Sequence, residues 1–339
     1  MARIAALLLL IVAMFAGLTA HADSVEEFYQ GKRLEIRVGT GPGGGYDLAA
    51  RLIARHIGKY IPGRPATIVQ NVPGAGSLTL MNQLNSVAAN DGSVIGVVTN
   101  GVPTAPLLTP EAARFDLSRF RWIGSPAPEA QVVMVWHKAK VQKLDDLFKQ
   151  ELIVGAVGPG TATYDVPVVA NAVLGTKFKI VSGYGTTAHI DLAMERGEVE
   201  GHAALGWVSA KTRNLAWLQA GKVKILAQYG RSKHPDLQNV PLFALPTVEA
   251  DRQAIVVMLA RQEFGRPFLV PPNVPAERLQ ALRQAFGATM KDPGFIADAK
   301  KAELEITPVS GEELDKLTAE VTATRPEVAS RLRAILAGH

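Results

Sequence analysis

The chain contains no cysteine. No disulfide and no cysteine-linked lipid anchor enters its chemistry, so stability must come from an apolar core. Other absences narrow the function. No G-x-S-x-G occurs, and no two histidines stand in H-x-x-x-H or H-E-x-x-H spacing. A serine hydrolase and a helix-borne zinc site both lack their sequence support. His189 and His202, with Glu198 and Glu200 nearby, are the best metal ligands available, but their spacing is wrong; no metal, no cofactor and no catalytic residue is expected. No acidic residue stands between Asp47 and Asp91. The net charge is only +5 over 339 residues and is scattered, which argues against a nucleic-acid partner. No segment is of low complexity, and beyond the N-terminus no run is apolar and long enough to span a bilayer.

What is present begins with an export pattern. Arg3 precedes an unbroken apolar run over residues 4–16, and Ala20-His21-Ala22 fits a small-x-small cleavage site. The expectation is a signal peptide over residues 1–22 and a mature start at Asp23. The alternative, an uncleaved anchor, has an apolar run at the short end for spanning. Removal takes away one arginine and no acid, so +5 becomes +4. At 47% hydrophobic and 20% charged residues, the remainder suits one large or two medium globular domains.

The most informative stretch is residues 34–51, LEIRVGTGPGGGYDLAAR. A strand-like run over residues 34–38 enters a loop of five glycines and a proline. A helical pattern then starts near Gly45 and continues through Leu48, Leu52, Ile53 and Ile57. Glycines allow close backbone approach, and the first N–H groups of a helix lack internal partners, so this layout suits an anion. Gly39, Gly41 and Gly44 also satisfy G-x-G-x-x-G. That fingerprint requires an acid about 20 residues on for the ribose. Here the second strand, residues 67–70, runs into Asn71, and a nucleotide is disfavoured. The bland alternative is a tight turn without a ligand. Residues 152–174 repeat the theme, strand then Gly158-Pro159-Gly160 then Tyr164 and Asp165, as Gly41-Pro42-Gly43 precede Tyr46 and Asp47. Two related lobes facing one cleft would show this.

Residues 34–100 read as strand, helix, strand, helix, strand, with Asn90-Asp91-Gly92 turning into the third strand. Ser77, in the glycine turn over residues 71–78, can cap the helix that follows. The proline-rich residues 102–130 read as a crossing into a second lobe. Its strands are expected at 131–136, 152–157, 178–181, 199–203 and 223–227, with a helix over 187–196. The polar residues 229–241 read as the return. A strand near 267–270 and helices near 277–290, 294–302 and 311–337 complete the chain. The expected division is residues 23–102 in lobe 1, 103–229 in lobe 2 and 230–339 back in lobe 1. Alternating strands and helices imply an α/β fold whose ligand sits at the carboxyl ends of the strands.

Several segments resemble the Bug family, the substrate-binding receptors of tripartite tricarboxylate transporters. Residues 38–51 resemble its V-P-F-P-P-G-G-S-T-D-I-x-A-R loop, residues 71–77 its N-R-P-G-A-G-G turn, and residues 89–95 its A-P-D-G-Y-T-L segment. Residues 158–161 resemble its G-x-G-S/T turn. Residues 182–192 match P-Y-K-G-x-x-P-A-x-x-D-L more loosely, with Tyr184 as the tyrosine and the lysine absent. Residues 264–295 resemble its A-P-x-G-T-P segment and following helices. The chain departs by Gly39-Thr40-Gly41 for Pro-Phe-Pro and Gly45-Tyr46 for Ser-Thr. It also lacks, over residues 203–207, the acid with which some members meet a ligand amino group.

The resemblance implies a two-lobe, periplasmic-binding-protein-like fold of type II, with the ligand cleft between lobes that close by a hinge. It implies a periplasmic receptor that captures a small organic carboxylate, a di- or tricarboxylate or similar acid. The receptor delivers it to the membrane permease subunits of a tripartite transporter and is not an enzyme. The alternative is an exported enzyme of the same fold, which a perturbed acid–base pair in the cleft would favour. Candidate ligand-binding residues are Thr40, Gly44, Gly45, Tyr46, Asp47, Ser77, Asn100, Gly160, Thr161, Tyr164 and Tyr184. Asp47 has a second reading as a cap for its loop, and Ser77 and Thr161 as helix caps. Tyr46 and Tyr164 either hydrogen-bond a carboxylate or cover the loops. Loop amides are expected to hold the carboxylate, since no arginine lies in the glycine loops. Arg278 and Arg283 read as a solvated helix face.

Overall fold

The computed structural model describes residues 24–230 and 232–338; the expected signal peptide lies outside the described residues. Helix α1 (Val25–Tyr29) is capped reciprocally by Ser24 and Glu27 and sends Phe28 and Tyr29 into the first core. In β1 (Arg33–Val38) the two-residue period puts Leu34, Ile36 and Val38 wholly inside. Each such side chain contributes about 1.5–3 kcal/mol by leaving water. Helix α2 (Gly45–Ile57) buries Ala50, Leu52, Ile53 and Ile57 against the same core. Leu48, which the helical pattern includes, is instead 40% exposed and lines a small hollow that Val208 and Ser209 face from the other lobe.

β2 (Ala66–Asn71), α3 (Leu78–Ser86) and β3 (Val94–Val97) follow. β1 pairs in parallel with both β2 and β3. A short helix α4 (Ala105–Leu108) leads to β4 (Arg121–Ser125). With β10 (Phe268–Val270) and β11 (Val309–Ser310) they form a six-stranded sheet, ordered β11-β4-β10-β3-β1-β2. A second sheet holds β5 (Gln131–Trp136), β6 (Leu152–Ala156), β7 (Phe178–Ser182), β8 (Gly201–Gly206) and β9 (Val223–Tyr229), in the order β7-β6-β8-β5-β9. Here β6 runs parallel to β7 and β8, and β5 antiparallel to β8 and β9. Helices α5 (Ala162–Leu174), α6 (Thr187–Arg196) and α7 (Trp207–Gln219) connect these strands.

β4 belongs to the first sheet, so the chain crosses to the second sheet after residue 125, later than the expected start of lobe 2 at residue 103. Its pairing explains this, since Trp122, Ile123 and Gly124 complete the edge beside β10 and β11. Two later helices also take a different side from the expected one. α8 (Glu249–Phe264) packs Ala254, Ile255, Met258 and Leu259 on the core of the second sheet. α12 (Pro326–Ala337) adds Val328 and Leu332 there. In contrast, α9 (Ala276–Met290), α10 (Pro293–Lys301) and α11 (Gly311–Thr322) pack on the first sheet. The C-terminal third therefore straps the two lobes together.

Arg278 and Arg283 do not lie on a solvated face. The Arg278 guanidinium stacks 3.6 Å over the Phe28 ring and bonds Asp91 O, while Arg283 bonds Trp122 O, Glu312 and Asp315. They tie α9 to its neighbours. Among the described residues no helix is long and apolar enough to cross a membrane.

Candidate functional site

The loops after β1, β3, β6, β7 and β8 converge between the two sheets, at the carboxyl ends of the parallel strands. They enclose a cavity of about 100 Å³. One water needs on the order of 10–15 Å³ of such space, so several polar heavy atoms fit, on the scale of a small organic acid. Thr40, Gly44, Gly45, Tyr46 and Asn100 line it from the first lobe, and Thr161 from the second. The two Gly-Pro-Gly loops also face each other across an adjoining hollow of about 340 Å³, lined by Gly39, Gly41, Gly158, Pro159 and Tyr184.

Five candidate residues sit outside the central cavity. The Asp47 carboxylate lies behind its loop, accepting from Gly43 N, from Arg51 Nε and from Asn71 Nδ2 at 2.9–3.0 Å. Burial pushes its pKa up, but those three donors outweigh burial and hold it below the usual carboxylate range. Asp165 performs the same task in the second lobe, accepting from Gly160 N at 3.0 Å and pairing with Arg261 at 2.7 Å. The shared Gly-Pro-Gly and Tyr-Asp layout is thus a shared loop brace: each aspartate fixes the glycine that follows the proline. Ser77 is wholly buried, donating to Gly39 O and accepting from Thr99 N, both at 3.0 Å. Gly160 and Tyr164 line a separate hollow of about 350 Å³ beside Arg333 and Leu336. Tyr184 reaches only the mouth.

Tyr46 lines the cavity and turns its hydroxyl to accept from Asn100 N at 3.0 Å. Burial pushes its phenol up to about 12, so it stays protonated. The hydroxyl of Thr161 donates to Gly158 O at 2.6 Å and lies 3.0 Å from that of Thr163, whose oxygen accepts from Val157 N.

The charged centre of the cavity is a pair that the sequence does not mark. Arg266, just before β10, and Glu129, in the first crossing, both line the cavity and form an ion pair. Each is about 95% or more buried. Arg266 Nη2 donates to Ser209 Oγ at 3.2 Å, and Val208 N donates to Glu129 Oε1 at 3.2 Å. Burial raises the Glu129 pKa, with the Arg266 guanidinium pulling it the other way. The expectation that loop amides alone meet the ligand is therefore incomplete, since an arginine from outside the glycine loops reaches the same space. Around this pair, Arg266 Nε, Thr40 Oγ1, Asn100 Oδ1 and Gln131 Oε1 are buried without a partner among the described residues. Buried polar atoms are normally paired, and an unpaired one costs about 1–3 kcal/mol, so a polar ligand here is strongly favoured.

His202 is fully buried and bonds Asp191 at 2.8 Å, a core pair outside the cavity lining. Among the described residues no group of histidines and acids is placed to hold a metal.

The sequence profile of the tripartite tricarboxylate transporter family receptors matches residues 49–332. The chain belongs to that family. No curated protein sequence matches it. Solved structures do. A malate-bound MatC of Rhodopseudomonas palustris is 19% identical, with a TM-score of 0.68 over 90% of this chain and 99% of its own. An adipate-bound protein of R. palustris is 17% identical, with a TM-score of 0.69 over 89% and 97%. The periplasmic binding protein BugD is 18% identical, with a TM-score of 0.70 over 91% and 98%. At these identities the likeness shows the fold, and this receptor has the two-lobe periplasmic-binding-protein architecture with its cleft between the lobes.

Proposed function

We propose that this receptor works in the periplasm, captures a small organic carboxylate and delivers it to the membrane permease subunits of a tripartite transporter. The observation that carries this reading is the cavity between the lobes, where the unpartnered Arg266 Nε stands beside Gly45, the first residue of α2. A carboxylate there meets a guanidinium edge and the positive end of a helix together. Malate and adipate, the acids bound in two structural relatives, are of the carboxylate class proposed here. The ligand touches Gly44 and Gly45 of one lobe and Thr161 and Ser209 of the other only when the lobes are together. That difference in contact shifts the hinge equilibrium to the closed form.

One observation favours the alternative of an enzyme, namely the raised pKa of Glu129. Against it, the cavity lining among the described residues holds no histidine, no lysine and no second carboxylate to complete an acid–base pair, and burial keeps the Tyr46 phenol protonated. The test is a thermal-shift panel of malate, adipate, citrate, NAD and ATP. At 100-fold excess over its dissociation constant, a ligand binding only the native state adds about 2.7 kcal/mol of stability. A shift with NAD or ATP and none with the acids would reverse the assignment.

A further inference from the structure

Glu129 occupies an unusual place. It faces the ligand cavity on one side and a second hollow of about 220 Å³ on the other. That second hollow lies at the lobe crossings and is lined by Lys233, His234, Glu263 and Glu305. Inside the cavity the formal charges of Glu129 and Arg266 already cancel. An acid that docks on the free Nε edge of Arg266 therefore sets a second carboxylate on one guanidinium that is buried and already paired with Glu129. Two like charges so close cannot both remain ionised at ordinary cost.

We infer that Glu129 takes up a proton when the acid binds, so that Glu129 and the ligand carboxyl group on Arg266 carry a single negative charge between the two groups. The inference rests on the carboxylate-receptor reading and adds to it a residue whose protonation is coupled to ligand binding. Burial already raises Glu129, and Glu305 adds to that rise while Arg266 opposes it. The other charged or titratable groups facing the pair are Tyr46 on α2, Glu263 on α8, and Lys233 and His234 on the return crossing. Tyr46 stays a neutral phenol, and the remaining three stand in the second hollow. His234 bonds Glu305 at 3.1 Å there, so the hollow on the far side of Glu129 is polar.

The experiment is calorimetry of the mature protein with malate and with adipate between pH about 6.5 and 8.5, in buffers of differing ionisation enthalpy. Above pH about 6.5 the ligand carboxyls are fully ionised, so any proton counted belongs to the protein. The expected result is an uptake approaching one proton, with affinity falling by up to about tenfold per pH unit. Glu129→Gln, which keeps the shape and cannot titrate, is expected to bind with no proton uptake and a flat pH profile. Saturable binding of either acid to the wild type with no proton uptake overturns the inference and leaves the receptor reading standing. Proton uptake that persists in Glu129→Gln places the proton elsewhere and also overturns it. Failure of every tested acid to bind at any pH removes the receptor reading first.

Discussion

Replacing Gly45 with alanine tests the cleft directly, because the added methyl group meets Ser209 of the other lobe and the Arg266 guanidinium. A Cβ on Gly45 stands 2.5 Å from Ser209 Oγ and 3.2 Å from Arg266 Nη2. Ser209 belongs to α7 of the second lobe. Gly45 is the first residue of α2 and has no positive φ, so alanine brings no backbone strain. Within the first lobe the methyl group crowds the Arg266 guanidinium, at 3.2 Å from Nη2 and 3.4 Å from Nε. In the closed form, Ser209 must turn away and give up the hydrogen bond from Arg266. A bond to a charged group is worth about 1.5–3 kcal/mol. At 1.4 kcal/mol per factor of ten, affinity should fall by roughly 10–150-fold. Calorimetry with malate or adipate measures the loss, and the melting temperature of the unliganded protein supplies the control. Unchanged affinity with a markedly lower melting temperature would show that Gly45 serves the turn and not the cleft. Ser209→Ala in the Gly45→Ala background relieves the clash and should recover part of the affinity.

Arg266→Met should abolish acid binding and lower stability, because a buried carboxylate that loses its partner costs about 3–5 kcal/mol. The double variant with Glu129→Gln should melt higher than Arg266→Met alone, and no recovery would dissolve the energetic pairing of the two. Asp191 is pushed up by burial but held lower overall by His202 and Arg213. A carboxyl with a lowered folded pKa contributes stability above its unfolded value, near 3.9, and loses it as pH falls through the folded value. Acid unfolding should therefore show a dependence below pH about 4 that Asp191→Asn flattens. Asp165→Asn should weaken binding through the Gly160 loop it braces, with a drop in melting temperature as Arg261 loses its anion. A variant that melts earlier yet keeps wild-type affinity would make Asp165 purely structural.

Much of the fold was legible in local pattern. β5, at residues 131–136, lies where its run of valines puts it, and α9 and α10 follow their amphipathic runs. The misses have definite causes. β4 reads R-W-I-G-S beside a proline-rich stretch, and only its pairing with β10 and β11 makes it a strand. β11 has two residues and no pattern of its own. α8, 16 residues long, carries no single apolar stripe, since its apolar positions are divided between two cores, with Phe264 in the first lobe and Met258 in the second. The single helix expected over residues 311–337 is two, interrupted ahead of Pro326, where proline opens the next helix instead of continuing the last. Periodicity marks an apolar face, but it does not say which of two sheets will cover it.

The site divides along the same line. The glycine loops were legible because a strand, a glycine turn and a helix start are adjacent in sequence, and so Thr40, Gly44, Gly45, Tyr46 and Thr161 were found together on the cavity wall. Glu129 and Arg266 were not. Each stands in a connecting segment with no motif around it, and they meet only because the chain passes from one sheet to the other between them. The pair has a consequence that the loops alone do not carry: Glu129 accepts from Val208 N and Arg266 donates to Ser209 Oγ, both on α7 of the second lobe, so a change in the charge of either acts on contacts that span the cleft beside the cavity.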